Sequence, residues 1–178
     1  MSERLHLAIS VSRPWNLSRM IWFYLCEVEP HPFELRIHLN IQGPEPDFKG
    51  QNKTNECLKM IQDGWVYFWC DDTIQYPSCF RRLSEVISGH PDAGAIVFSE
   101  ERPGGGIIHA SKDTVKPCQI CGSMICYKRD FIGDAYYDTA QHGDAADGWL
   151  AQHLFIKDPS RWVFIDEVLL KFNSLMAP

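Results

Sequence analysis

Apolar residues recur with two different periods along the chain and predict alternating strands and helices. The strand-like segments are short and rich in β-branched and aromatic residues, whereas the helix-like segments repeat apolar residues every three to four positions. The predicted strands are Leu5 to Val11, Phe33 to Ile41, Trp65 to Cys70, Gly94 to Ser99, Ile120 to Tyr127 and Trp162 to Ile165. The predicted helices begin near Pro14, Asn52, Pro77, Lys128 and Asp144. This alternation indicates an α/β fold with a mainly parallel sheet flanked by helices.

The strongest strand signal runs directly into acidic residues. Trp65 to Cys70 is continuously apolar, as expected for a strand covered on both faces, and Asp71, Asp72 and Thr73 follow it. Acids at the carboxyl end of a parallel strand face the crevice where such sheets bind ligands. Adjacent carboxylates repel each other, and a divalent cation such as Mg²⁺ or Mn²⁺ relieves that repulsion. The alternative is a plain turn in which Asp72 or Thr73 caps the next helix.

Composition narrows the class of protein. The chain has 178 residues, is 45% hydrophobic and carries a net charge of -6, which suits a single domain over residues 1–178. The absence of a dense Lys/Arg run argues against nucleic acid as a partner. No apolar stretch approaches the roughly 18 residues of a transmembrane helix, and the first residues lack the apolar core of a signal peptide.

Cysteine usage indicates the redox compartment. Seven cysteines is an odd count, and Cys26, Cys57 and Cys70 lie within apolar patterns. Buried reduced thiols explain this better than a disulfide framework does, so we expect a cytoplasmic protein.

Two further polar groups stand at element ends. Ser10, Ser12 and Arg13 lie at the carboxyl end of the first predicted strand, where a ligand would also be received, although Ser12 suits a helix N-cap equally well. Lys53 and Asn55 open a helix, a position that favours anions such as phosphate. A solvated surface lysine is the alternative for Lys53.

A pair of acids near the carboxyl-terminal end has two interpretations. Asp144 and Asp147 stand three positions apart at a predicted helix start. Asp144 as the N-cap and Asp147 in the first turn would form an ordinary helix-start signature. Alternatively, one of them is a general base, because a helix N-terminus favours the ionised carboxylate.

Taken in order, these segments resemble the nucleotide-sugar-dependent glycosyltransferases of the GT-A fold. The resemblance extends roughly from Leu7 to Asn173 and rests on Ile9 to Pro14, Lys53 to Asn55, Gly64 to Thr73, Cys121 to Met124 and Asp147 to Leu150. One position departs from the pattern: many relatives carry three acids or D-x-D, and Cys70 occupies the first acidic position here. A thiol is a poor ligand for Mg²⁺.

The resemblance implies transfer of a sugar from a nucleotide diphosphate donor, a UDP-sugar, to a hydroxyl of a glycan, lipid or protein acceptor. It places Mn²⁺ or Mg²⁺ on Asp72, and Asp71 on the metal, the ribose or the sugar. It assigns the general base to Asp147. The other implied donor contacts are Ser10, Ser12, Arg13, Lys53 and Asn55.

Two other functions remain open from the sequence. One is a catalytically inactive GT-A-like module that binds a sugar nucleotide or a glycan, which the replacement of an acid by Cys70 favours. The other is a small zinc-dependent interaction domain built from Cys118, Cys121, Cys126 and His109. The segment Arg102 to Gly106 is predicted to be a flexible loop. Since the chain is short, we expect a partner chain, a second copy or a larger parent polypeptide to complete the acceptor side.

Overall fold

The structure is a computed structural model that describes residues 3–11, 13–26, 33–41 and 50–172. Ser12 and residues 42–49 therefore lie outside the described residues. None of the helices within the described ranges is long and apolar enough to cross a membrane.

Strands and helices alternate over most of the described chain. The strands are β1 (Arg4–Val11), β2 (Glu34–Ile41), β3 (Trp65–Cys70), β4 (Ile74–Gln75), β5 (Ala95–Glu101), β6 (Ile107–Ile108), β7 (Ile125–Lys128) and β8 (Trp162–Lys171). The helices are α1 (Pro14–Cys26), α2 (Gly50–Met60), α3 (Cys79–Gly89), α4 (Arg129–Ile132), α5 (Thr139–His142) and α6 (Ala146–Lys157).

All the described strands belong to one mixed sheet, whose order is β2-β1-β3-β7-β5-β8-β4, with β6 paired to β5. The long strands β1, β2, β3, β5 and β8 run in one direction, because β7 is antiparallel to both of its neighbours, β3 and β5. The shorter strands β4, β6 and β7 run the other way. The predicted α/β architecture with a mainly parallel sheet is confirmed.

The sheet is covered on both faces, as the continuous apolar run of β3 predicts. Trp65, Tyr67 and Trp69 belong to one core cluster, whereas Val66 and Phe68 belong to a second cluster on the opposite face. Successive side chains of a strand point to opposite faces, so a strand between two cores has apolar residues at every position.

Two segments differ from the sequence-based expectation. Ile120 to Tyr127 is predicted to be one strand, but Gly122–Met124 forms a 3-10 turn and only Ile125–Lys128 pairs in the sheet. The last strand continues beyond the predicted Ile165 as far as Lys171. The predicted loop over Arg102 to Gly106 connects the two strands of the β5–β6 hairpin, and the amide of Arg102 donates to the carbonyl of Gly106 within it.

The order of the strands positions the candidate site. β1 lies between β2 and β3 in parallel register, and Ser10 of β1 is paired with Cys70 of β3. The polar residues that follow β1 and β3 therefore meet at the same edge of the sheet, which is the usual ligand-binding edge of such folds.

Candidate active site

A pocket of about 250 Å³ opens at the carboxyl ends of β1 and β3. Five of the residues predicted from the sequence line it: Ser10, Arg13, Asp71, Asp72 and Asp147. They come from three separate parts of the chain, namely β1 with the start of α1, the end of β3, and the first turn of α6. The other residues lining the pocket are Ala8, Thr54, Phe68, Trp69, Cys70, Gly122, Ser123, Tyr137 and Phe172.

Arg13 supplies the positive charge that compensates the two acids. Its guanidinium lies 2.5 Å from Oδ1 of Asp71 and 3.1 Å from Oδ2 of Asp72. Its backbone amide also donates a hydrogen bond to Asp71. The two carboxylates are almost fully buried, and an unpaired charge there would be costly. The repulsion that suggests a divalent cation from the sequence is therefore already relieved by Arg13 within the protein.

Asp72 is the less constrained of the two carboxylates. Its pKa is raised mainly by burial, while the nearby guanidinium of Arg13 lowers it. The Thr73 hydroxyl donates to Asp72 at 3.3 Å, and the Trp69 indole fixes the turn by donating to the Thr73 carbonyl at 2.8 Å. Neither Asp72 nor Thr73 caps a helix, because β4 follows directly and α3 has Ser78 at its N-cap.

Ser10 presents an unused polar atom to the same pocket. Its Oγ is buried and makes no hydrogen bond to any residue that the structure describes. A buried hydroxyl without a partner is costly unless a ligand or water satisfies it. The placement fits the predicted contact between Ser10 and a bound ligand.

Cys70 lies next to the acids as a neutral thiol. A hydrogen bond with Cys121 and burial together raise its pKa well above the ordinary value, and nearby Asp72 and Asp147 add to the effect. A thiol that keeps its proton is not a ligand for Mg²⁺ or Mn²⁺. Metal binding at this position would therefore depend on Asp72 and on oxygen atoms of the ligand.

Asp147 is held by two backbone amides. Gly122 donates to its Oδ2 at 2.9 Å, and Gly148 donates to its Oδ1 at 2.7 Å. Burial is the largest influence and raises the pKa of Asp147, whereas the two amide hydrogen bonds oppose that rise. The N-cap of α6 is Ala145, so the prediction of Asp144 as the N-cap is wrong, whereas Asp147 does lie in the first turn of the helix as the helix-start interpretation expects.

The two residues predicted from the start of α2 have different outcomes. The Asn55 amide donates to the carbonyl of Tyr137 and its Oδ1 accepts from the amide of Tyr137, both at 2.9 Å. These two hydrogen bonds hold the backbone of Tyr137, which lines the pocket. Asn55 itself does not line the pocket. The Lys53 backbone belongs to α2, and its side chain lies outside the described part.

Sequence reasoning missed a second ion pair near the pocket. Glu100 is fully buried, and its Oε1 lies 2.5 Å from the guanidinium of Arg102, which also stands 4.4 Å from the centre of the Phe172 ring. Burial raises the pKa of Glu100 to about 7, Arg102 lowers it, and the charge of Asp147 raises it. The sequence does contain a signal for this pair. Two acids, Glu100 and Glu101, stand at the end of an apolar strand, just as Asp71 and Asp72 follow β3.

The proposed zinc set is dispersed in the fold. Cys126 is fully buried within β7, Cys118 is exposed, and His109 contacts Asp166 at 2.7 Å. Within the described ranges, no group of three or more His, Cys, Asp and Glu side chains is arranged to hold a metal ion. The zinc-dependent interaction domain therefore has no support in this structure.

Comparison with solved structures identifies the fold. Residues 1–349 of S. aureus TarS match with a TM-score of 0.73 at 11% identity, covering 96% of this chain and 60% of that one. A complex of the same fragment with UDP matches with a TM-score of 0.72 at 12% identity, covering 94% and 60%. The chain has a GT-A-like glycosyltransferase fold.

A third structure with this fold is closer in size. A glycosyltransferase involved in glycosylation of the major capsid of PBCV-1 matches with a TM-score of 0.56 at 9% identity, covering 98% of this chain and 94% of that one. By contrast, this chain spans 36% of a longer TarS structure. No protein-family model and no curated protein sequence matches the chain.

Proposed function

We propose that the chain is a glycosyltransferase that moves a sugar from a nucleotide diphosphate donor, a UDP-sugar, to an acceptor hydroxyl. The observation that carries the proposal is the convergence of Arg13, Asp71, Asp72 and Asp147 on one pocket of a GT-A-like fold. TarS structures with UDP and with UDP-GlcNAc have this fold and support the choice of nucleotide.

The donor would bind where β1 and β3 end. The unpartnered Oγ of Ser10 would hydrogen-bond the nucleoside, and Ser12 and Arg13 would complete that side. Lys53 in α2 remains our proposed contact for the diphosphate. Arg13 would stay paired with Asp71, which orients its guanidinium and keeps a positive charge at the pocket.

A divalent ion fits this site only as an ion shared with the donor. Arg13 contacts both acids, but it donates two hydrogen bonds to Asp71 and makes a single ion-pair contact with Asp72, so Asp72 is the carboxylate with more capacity for a metal. Mg²⁺ is commonly held by one or two carboxylates together with substrate phosphates. We propose that Asp72, aided by Asp71, holds Mg²⁺ or Mn²⁺ in this way, where the ion would offset charge on the leaving diphosphate.

Asp147 would act as the general base. Its ionised carboxylate takes the proton of the acceptor hydroxyl, whose oxygen forms a bond to the anomeric carbon of the donor sugar. The bond from that carbon to the phosphate oxygen breaks, and the nucleoside diphosphate leaves with the bonding electrons. In-line attack of this kind inverts the configuration at the anomeric carbon. The backbone amides of Gly122 and Gly148 aim the carboxylate.

The second candidate is a GT-A-like module that binds sugar nucleotides or glycans without turnover. The observation that favours it is the neutral thiol of Cys70 at the position of an acid. Replacement by Asp would restore the pattern of the resembled family. We expect Cys70→Asp to strengthen Mn²⁺-dependent UDP binding, whereas Cys70→Ser leaves it unchanged. An active wild-type protein would exclude this second candidate.

The acceptor and the setting of the reaction belong to the same proposal. The acceptor would be a glycan, a lipid or a protein, and a partner chain or a second copy would complete its binding surface. The cytoplasm remains our prediction for the location. The protein's net charge of -6 agrees with our expectation that nucleic acid is not a partner.

Calorimetric titration of UDP, and then GDP, with and without Mn²⁺ tests the donor site. Wild-type protein should bind UDP in a Mn²⁺-dependent manner, and Asp72→Ala should lose that dependence. Asp113→Ala, which removes an exposed acid elsewhere, serves as the matched control and should bind like wild type. Lack of binding of either nucleotide to wild type under both conditions would refute the proposed donor site.

A further inference from the structure

A second concave site lies on the outer side of α6, outside the pocket of Asp147. It encloses about 340 Å³ between α6 and the segment 134–142. Ala146, Trp149, Leu150 and His153 line it from one face of the helix, at the spacing expected for a single helical face. Its volume is that of a site for a small ligand, since such sites measure roughly 300–1,000 Å³.

Exposed aromatic rings form the walls of this groove. Trp149 is 43% exposed and Tyr136 is 60% exposed, although both are large and apolar. The ring of His142 stacks on Trp149, with centroids 4.6 Å apart and an angle of 19° between the planes. This stacking fixes the orientation of the indole and leaves it part of an open surface. A ligand would therefore meet a rigid aromatic platform.

The floor and the rim of the groove differ in polarity. Ala146 and Leu150 are buried and form an apolar floor. Asp134 and Asp138 lie at the rim. Oδ1 of Asp138 accepts from the amide of Gln141 at 3.0 Å, whereas Asp134 has no hydrogen bond or ion pair within the part of the chain that the structure describes. No lysine or arginine is among the residues that line this groove. Hydrogen-bond acceptors at the rim favour a ligand that donates hydrogen bonds and disfavour phosphate groups.

A pyranose ring has the chemistry that this groove requires. One of its faces carries C–H groups that pack on aromatic rings, and its edge carries hydroxyls that donate to carboxylates. We propose that the groove between α6 and segment 134–142 binds one pyranose residue of the acceptor glycan through Trp149, Tyr136 and the rim carboxylates. This inference rests on the proposed glycosyltransferase function and names a glycan as the acceptor.

The position of the groove suits a sugar residue of the acceptor other than the one whose hydroxyl receives the transferred sugar. Trp149 follows Asp147 by two residues, so the two side chains leave α6 about 200° apart. Asp147 enters the catalytic pocket, whereas Trp149 faces the groove. The two sites are thus separated by about one helix diameter, roughly 10 Å. A glycan of several residues would place its reactive hydroxyl at Asp147 and a more distant ring on Trp149.

Saturation-transfer NMR on the full chain tests the groove without requiring turnover. The probes are the methyl pyranosides of glucose, galactose, mannose and N-acetylglucosamine, each with a matching oligosaccharide, in the absence of nucleotide. We expect saturation of C–H protons on one face of at least one ring. Trp149→Ala should weaken that binding about tenfold, and Trp149→Phe should preserve most of it because an aromatic face remains.

Ile156→Ala is the matched control, because Ile156 is also an exposed apolar residue of α6, is 73% exposed and does not line the groove. It should bind the pyranosides like wild type. Tyr136→Ala provides a second variant, should Trp149→Ala fail to fold. Failure of every probe to receive saturation, or equal binding by wild type and both alanine variants, would overturn the inference. Self-association that is lost in Trp149→Ala would also overturn it by assigning the groove to a second copy.

UDP titration of the same samples separates this inference from the proposed function. One outcome supports both the proposed donor site and the groove: wild type and all groove variants bind UDP, and pyranoside binding depends on Trp149. Trp149-dependent pyranoside binding without any UDP binding supports the groove as a sugar site and refutes its role for an acceptor of this transferase. UDP binding without pyranoside binding leaves the donor site intact and refutes the groove.

Discussion

The backbone amide of Gly122 donates a hydrogen bond of 2.9 Å to Oδ2 of Asp147, across 25 residues of sequence. This bond joins the 3-10 turn before β7 to the first turn of α6 and holds the carboxylate at the pocket. A Cβ atom at position 122 would lie 3.2 Å from the hydroxyl of Tyr137 and 3.6 Å from Cβ of Asp147. Glycine therefore allows the backbone to approach both residues closely.

Replacing the proposed base should separate chemistry from binding. Asp147→Asn keeps the shape of the side chain but cannot accept a proton at neutral pH, so we expect sugar transfer to fall about 10²–10⁴-fold. UDP binding should stay close to that of wild type, because the proposed donor contacts lie in α2 and at the carboxyl ends of β1 and β3 rather than on α6. Transfer assays and calorimetry on the same preparation provide the check. Full activity of Asp147→Asn would exclude this residue as the base.

Removing Arg13 should destabilise the protein even without a ligand. Arg13→Ala removes the positive charge that Arg13 brings to the buried acids Asp71 and Asp72, which should cost about 3 kcal/mol. Urea unfolding of the nucleotide-free protein measures this loss. Arg82→Ala is the control, because it removes ion pairs with Glu85 and Glu167 at the surface and should cost less than about 1 kcal/mol. Equal losses in the two variants would contradict the structural role of Arg13.

Glu100 should make stability depend on pH in a defined direction. Its pKa in the folded protein is about 7, above the ordinary value of 4.5, so the folded state holds the proton longer than the unfolded state does. Stability should therefore fall as pH rises from about 4.5 and level off above about 7. Ionising this buried carboxyl costs about 3 kcal/mol, which Glu100→Gln avoids.

Urea unfolding at pH 5 and pH 8 tests the Glu100 prediction. The two proteins should have similar stability at pH 5, where the glutamate is protonated in the folded state. Glu100→Gln should be the more stable protein at pH 8. An identical change in stability between the two pH values for both proteins would show that Glu100 titrates normally.

Gly148 should resist substitution because of backbone packing. A Cβ atom there would lie 2.7 Å from Cα of Pro117, so Gly148→Ala must push α6 away from segment 116–117. We expect a loss of about 1–3 kcal/mol in the free energy of unfolding. Gly89→Ala is the control, since nothing lies within 4 Å of its Cβ position. Destabilisation by Gly89→Ala of the same size would contradict the packing argument.

The spacing of apolar residues predicted the strands and helices better than it predicted which side chains contact one another. The predicted Trp65 to Cys70 strand matches β3 residue for residue, because a strand between two cores requires apolar residues on both faces. The predicted strand over Ile120 to Tyr127 is wrong for its first half. Residues in that half are buried as well, but Gly122–Met124 form a 3-10 turn. Burial alone does not distinguish such a turn from a strand in the sequence.

The sequence by itself determined the α/β class, the covered central strand and the acids at its end, because burial imposes a readable period on apolar residues. Only the tertiary structure decided the partners of those acids. Arg13 reaches Asp71 across 58 residues, and Asn55 is committed to Tyr137 across 82. These contacts depend on the strand order β2-β1-β3-β7-β5-β8-β4, which brings distant segments together. Side-chain spacing along the chain carries no information about that order.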